Sequence, residues 1–146
     1  MKSLLLTVVL ALGLPQLAAA QVQPPKEFVV VVNTFNPFVV IRGEDLARLF
    51  LKKDTVWMNG QTAFPVDQAE TAQVRERFVS NVLRKNMSAV RSYWRQRVFN
   101  GEAVPPPALD TDEAVLEFVR RNPYAVGYVS ATTPLGASIK AIRVEQ

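Results

Sequence analysis

Residues 27–33 read Glu-Phe-Val-Val-Val-Val-Asn, and this run decides the fold class. Successive residues of a strand point to opposite faces of its sheet, so a half-buried strand alternates apolar and polar side chains. Four valines in a row leave neither face polar. The segment is therefore expected to be a buried strand in a sheet covered by helices on both sides. The predicted architecture is a single α/β domain with three layers, α/β/α.

The chain on either side fits that reading. Asn33-Thr34-Phe35-Asn36-Pro37 is turn chemistry, and residues 38–41 form a second short extended stretch. The spacing predicts a helix over 43–52, with Leu46, Leu49 and Phe50 on one face. Glu44 and Asp45 open this helix and Lys52 and Lys53 close it, the charge order that the helix dipole favours. Asn59-Gly60 marks a tight turn, and 62–66 reads as a strand. Two amphipathic helices are expected next: 71–85, with Val74, Phe78 and Val82 four apart, and 87–99, with Val90, Trp94 and Val98 likewise. After a loop with Asn100-Gly101 and three prolines, Asp110 is the expected N-cap of a further helix, Glu113 its capping-box partner, and Asn122-Pro123 its end. Residues 124–131 (YAVGYVSA) read as a strand with a glycine inside it, and 139–144 as a short terminal strand.

Upstream of the valine run, residues 1–20 have the three parts of a cleavable signal peptide. Lys2 gives a positive start, residues 4–14 an apolar stretch, and Ala18-Ala19-Ala20 small residues before Gln21. The apolar stretch is shorter than the roughly 20 residues that a spanning helix needs. The expectation is an exported, periplasmic protein whose domain, 21–146, begins with a short extended leader containing Pro24-Pro25. The chain contains no cysteine, so neither a lipid-modified N-terminus nor a disulfide is available, and packing alone must hold the domain. It also contains no histidine. Ser-His-Asp and Cys-His catalysis each lack a required residue, and common zinc sites lose their preferred ligands. The acidic residues show no calcium-loop pattern and no recurrent paired spacing. Neither an enzyme, a cofactor nor a metal is expected.

Several local phrases resemble one family. Residues 39–58 (VVIRGEDLARLFLKKDTVWM), Phe64-Pro65-Val66 with the polar loop after it, the pair Tyr93-Trp94, and Ala125-Val126-Gly127-Tyr128-Val129 are together similar to periplasmic phosphate-binding proteins of ABC transporters. The resemblance implies a type 2 periplasmic binding protein fold, of which this chain would supply one lobe. In full-length members two lobes close over the anion, so a lone lobe would hold a ligand on an open surface unless a second copy or a partner supplies the other wall.

The resemblance also implies a candidate ligand site. The family places an arginine four positions before Ser-Gly-Thr at a helix N-terminus, where backbone N–H groups and the helix dipole bind phosphate. Aligned here, Asp67 stands at the arginine, Thr71 at the serine, Ala72 at the glycine and Gln73 at the threonine. Only Thr71 keeps its chemistry. Asp67, with Glu70 beside it, would repel the dianion that the arginine attracts. Thr71 or Glu70 at a helix start is equally ordinary capping chemistry. Asn33 and Thr34 complete the candidate ligand set.

A second feature is basic density. Arg75, Arg77, Arg84, Lys85, Arg91, Arg95 and Arg97 are opposed locally only by Glu76. Arg84, Arg91 and Arg95 are a candidate interaction surface, with the solvated face of two amphipathic helices as the plain alternative. Trp57, Tyr93 and Trp94 fit a core or an interface. Candidate partners are a small anion and an envelope or membrane protein. Nucleic acid is not expected, since no array of base-stacking aromatics accompanies the arginines. The chain is expected to be a monomer or a homodimer, the latter burying exposed aromatics such as Phe35 or Trp57. Two functions remain open: an anion binder related to ABC transport, and an interaction or sensing module built on one lobe.

Overall fold

The computed structural model describes residues 27–146. The expected signal peptide and leader lie outside the described residues. Among the described residues, no helix is long and apolar enough to cross a membrane.

The valine run forms β1 (Phe28–Asn33) at the centre of a five-stranded sheet. It pairs antiparallel with β6 (Ala125–Ser130), Phe28 opposite Ser130 and Val32 opposite Val126. On its other side it pairs antiparallel with β7 (Ile139–Glu145), Val30 opposite Ile142. The edges are parallel additions: β2 (Val40–Arg42) beside β7 and β3 (Phe64–Pro65) beside β6. A continuous apolar run is commonest in parallel sheets, but here it lies between two antiparallel neighbours. What makes it apolar on both faces is cover, not strand direction.

That cover gives the three expected layers. Val30, Val32, Val126, Tyr128 and Ile142 face a layer of three helical segments, which are α1 (Gly43–Phe50), α2 (Gln73–Phe78) with its extension, and α3 (Met87–Phe99). Val31, Ala125, Val129 and Ile139 face Val115, Leu116 and Val119 of α4 (Asp112–Arg121) on the other side. Gly127 explains the glycine inside β6. A Cβ there would lie 2.7 Å from Val115 Cγ1 and 2.9 Å from Val66 Cγ1, closer than real contacts allow. A two-stranded parallel ribbon, β4 (Asp67–Gln68) with β5 (Ala108–Leu109), completes the domain.

Several boundaries differ from the sequence reading. The helix expected over 43–52 ends at Phe50 with Lys52 left-handed beyond it (φ 54°), so Arg48 and not Lys52 and Lys53 supplies the cation of its last turn. The helix expected over 71–85 begins only at Gln73, and after Phe78 it widens into a π-helical turn, Val79–Leu83, which ends on Arg84 in a left-handed conformation (φ 55°). The segment buries Val79, Val82 and Leu83 on one side, an i, i+3, i+4 spacing that a regular α-helix would also place on one face. The N-cap of α4 is Thr111, whose Oγ1 accepts from Ala114 N, not Asp110. That leaves Asp112 free for the polar network described below. The strand expected over 62–66 shortens to two residues, with Thr62 making an isolated bridge to Val56.

The aromatic residues resolve as core. Trp57 is buried, stacks on Phe38 and donates from Nε1 to the Tyr124 carbonyl at 2.9 Å, so a dimer could not cover it. Trp94 is buried, and Tyr93 donates from its hydroxyl to the Leu51 carbonyl at 2.7 Å. Phe35, by contrast, is 82% exposed.

Candidate functional site

The aligned anion loop begins at β4, and Asp67 is its first candidate. Asp67 is buried, where an unpaired carboxylate would be costly. Its oxygens are instead occupied. Arg75 Nη2 lies 3.1 Å away, Gln68 N donates at 2.8 Å, and the Tyr128 hydroxyl donates to Oδ1. Arg75 also donates from Nη1 to the Gln68 carbonyl at 2.8 Å, tying the first turn of α2 to β4. Gln68 extends the network, its Nε2 donating to Tyr128 O at 3.0 Å and to Asp112 Oδ1 at 2.6 Å. Asp112 Oδ2 accepts from Ser130 N at 3.0 Å and from the Thr133 hydroxyl.

Burial pushes the Asp67 carboxyl above its usual range, opposed by the Arg75 charge and the Tyr128 hydrogen bond. Burial, reinforced by the Asp67 charge, pushes the Tyr128 phenol far up, so it stays a donor. The Tyr128 ring stacks on Phe78 at 3.9 Å between centroids, which fixes the direction of the hydroxyl. Chemically this is a clamp in which carboxylate and phenol are satisfied by neighbours in the chain and the guanidinium is engaged through Nη1 and Nη2, its buried Nε alone lacking a partner.

The other members of the candidate ligand set are dispersed. Thr71 is exposed in the turn before α2. The N-cap position is Ala72, which has no side-chain oxygen to offer, and Gln73 is exposed. Thr71 is therefore not the cap that the sequence suggested as its plain role. Asn33 is buried and consumed: its Nδ2 donates to the Val119 and Arg120 carbonyls at 3.1 and 3.0 Å, and its Oδ1 accepts from Phe35 N. It thus ties down two carbonyls at the C-terminus of α4, that of Val119 also accepting from Asn122 N. Thr34 is exposed, its N–H donating to Ser138 O at 3.0 Å. Asn33 holds one end of α4, and Gln68 bonds Asp112 at the other. Ten residues at 1.5 Å each separate the two ends by about 15 Å. Asn33 and Thr34 do not converge with the start of α2.

The basic cluster is also redistributed. Arg75 is interior. Arg77 meets Glu27 at 2.5 Å, Arg91 meets Glu70 at 3.7 Å, and Arg97 meets Glu102 at 3.5 Å with its guanidinium over the Tyr93 ring. Local opposition by Glu76 alone is thus a property of the sequence window, not of the fold. Among the described residues, Arg84, Lys85 and Arg95 have no carboxylate partner. Arg84 donates to the Gln146 side chain, whereas Arg95 lies on the outer face of α3 beside Phe99, which is 90% exposed. The sequence reading missed Gln68, Tyr128 and Asp112 as members of one network. The available signal was an Asp-Gln pair directly after a strand, with an arginine seven positions beyond Gln68.

No protein-family model matches the chain, and no curated protein matches it by sequence. Solved structures do match. An ABC-type phosphate transport receptor from Vibrio cholerae superposes with a TM-score of 0.64 at 20% identity, over 82% of this chain and 47% of that one. A protein from Clostridium perfringens, crystallised with bound phosphate and described as a phosphate ABC transporter substrate-binding protein, gives 0.63 at 17% identity, over 81% and 44%. PstS from Borrelia burgdorferi gives 0.60 at 12% identity, over 82% and 47%. The chain thus spans less than half the length of the structures it matches, and its fold is that of a single α/β lobe of phosphate ABC transporter substrate-binding proteins.

Proposed function

We propose that the protein is an exported, periplasmic, single-lobe module that serves interaction or sensing, not catalysis, and that its partner is an envelope or membrane protein. The observation that carries this reading is the fate of Asp67. It stands where the resemblance expects an anion-binding arginine, and its carboxylate is spent on Arg75 and Tyr128. A scaffold gains from such a clamp, because it fixes the start of α2 without needing a ligand. The outer face of α3 supports the docking role. Arg95 and Phe99 are exposed there, with Arg91 half-exposed and only loosely paired, a combination of cation and aromatic typical of binding hot spots.

The test is thermal unfolding of the mature protein against phosphate, sulfate, other oxyanions and small carboxylates at fixed ionic strength. Binding to the native state raises the midpoint with ligand concentration. A flat panel is expected, together with site-specific crosslinking from position 99 to one envelope protein, lost on charge reversal of Arg91 and Arg95. A midpoint shift for one anion at low concentration would sink the scaffold reading. It would favour the second one, a phosphate or other anion binding component linked to ABC transport. That reading draws its support from the phosphate bound in the Clostridium perfringens structure.

A further inference from the structure

Two confluent clefts lie away from the Asp67 clamp and from the outer face of α3, and neither function above uses them. The first, about 460 Å³, opens between the N-terminal half of β1, the end of β7 and the π-helical turn. Phe28, Val30, Val82, Ile142 and Val144 make its lining mainly apolar, with the Arg77–Glu27 ion pair and Arg143 also bordering it. The second, about 390 Å³, continues toward α1, and the two share Asn81, Val82 and Gln146. Its character is different: Arg42, Arg48, Lys53, Arg84 and Lys85 line it against one acidic residue, Glu44. Arg48 is held by Asp54 at 2.6 Å and Arg42 approaches Glu44 at 3.6 Å. Lys53, Arg84 and Lys85 have no carboxylate partner among the described residues.

The backbone adds an independent observation. Arg84 ends the π turn at φ 55°, a left-handed position that glycine fills without steric cost. Arg84 shares this strained conformation with Lys52 and Ser138, and its side chain is directed to Gln146 at the junction of the two clefts. Each volume falls within the range of about 300–1,000 Å³ found for small-ligand sites.

We infer that the joined clefts form a binding site for an amphiphilic anion, its hydrocarbon chain along the apolar cleft and its carboxylate or phosphate head at Lys53, Arg84 and Lys85. A mainly apolar compartment opening into a mainly cationic one suits a molecule divided the same way. A purely inorganic anion would leave the first cleft unused, and a neutral hydrocarbon would leave the second uncompensated.

The experiment is calorimetric titration of the protein purified after expression of the full sequence, with dodecanoate and dodecyl phosphate below their micellar concentrations. Inorganic phosphate and acetate serve as head-only controls and dodecanol as the tail-only control. Saturable binding with one site is expected for the two amphiphiles and not for the controls. Arg84→Gly combined with Lys85→Ala should weaken binding by about tenfold or more, the scale of a lost charge-assisted contact. Because Arg84→Gly relieves the left-handed strain, the melting midpoint of this variant should stay level or rise, which separates a lost site from a lost fold. Asn81→Trp, at an exposed position lining both clefts, should block binding. Co-sedimentation with phosphatidylglycerol vesicles, competed by dodecanoate, would identify the source as a lipid headgroup; binding of dodecanoate without co-sedimentation would identify a free amphiphile. Absence of saturable dodecanoate binding, or equal binding by Asn81→Trp, would overturn the inference, as would preference for an acidic peptide over both amphiphiles.

Discussion

Arg75 and Arg95 belong to the same basic stretch of sequence and end in opposite environments. Arg75 is buried against Asp67 and bonded to the Gln68 carbonyl, at the junction of α2, β4 and β6. Arg95 projects from α3 beside an exposed phenylalanine and has no carboxylate partner among the described residues. One guanidinium holds the fold and the other is available to something outside it. A charge run therefore says little about docking until the tertiary partners of each member are known. Proximity in sequence is not proximity in electrostatic environment.

The strongest way to break the contrast is to remove one side of the interior pair. Arg75→Ala or Asp67→Ala should cost about 3–5 kcal/mol, because each leaves a buried charge without its counterion. Asp67→Arg should be at least as damaging, since it sets two guanidiniums together in the interior. It would not restore anion binding, whatever the alignment with the phosphate family suggests. Urea unfolding measures all three. The double variant Asp67→Leu with Arg75→Met should recover much of the loss, and failure to recover would mean that the surrounding hydrogen bonds matter more than the charges.

Next in size is the contact between β6 and α4. Gly127→Ala should cost about 1–3 kcal/mol through overpacking against Val115 and Val66. If it were neutral, the core beneath α4 would be looser than the contacts indicate.

The clamp should also show in its pH dependence. The Tyr128 phenol is raised in the folded state, so folded protein keeps a proton that unfolded protein loses above its ordinary pKa of about 10. Stability contributed by that group is complete below about pH 10 and declines as pH rises further. Comparing melting midpoints of wild type and Tyr128→Phe between neutral and strongly alkaline pH checks this: the variant should start lower and fall less steeply. Parallel curves would show that the tyrosine does not titrate with unfolding.

At the exposed end of the comparison, Arg95→Glu should change stability by no more than about 0.5 kcal/mol, as surface substitutions away from special features usually do. The same variant should abolish the crosslink expected at position 99. A large stability loss there would place Arg95 in the structural class with Arg75.

How far the fold could be read follows from the range of the forces involved. Local periodicity fixed α3, whose bounds match the expected 87–99, and the buried face of α1 with Leu46, Leu49 and Phe50. Capping was harder, because Asp110, Thr111 and Asp112 are all competent caps and only the network around Gln68 decides which two are not used as one. The π-helical turn was illegible, since Val79, Val82 and Leu83 have the i, i+3, i+4 spacing of an ordinary α-helical face. The candidate ligand set suffered most. Asn33 is consumed at the C-terminus of α4, and Asp67 finds its phenol donor at Tyr128, 61 residues away in sequence. No window of sequence contains both partners.

The sequence by itself determined that the chain would build a layered α/β domain, because four consecutive valines must be covered on two faces and amphipathic helices of suitable length follow them. It also determined what chemistry is absent, because a chain without cysteine and histidine cannot use those side chains. Only the tertiary structure decided which charges are spent inside and which remain for a partner or ligand. That outcome depends on which distant segments the sheet brings within the few ångströms over which hydrogen bonds and buried ion pairs act.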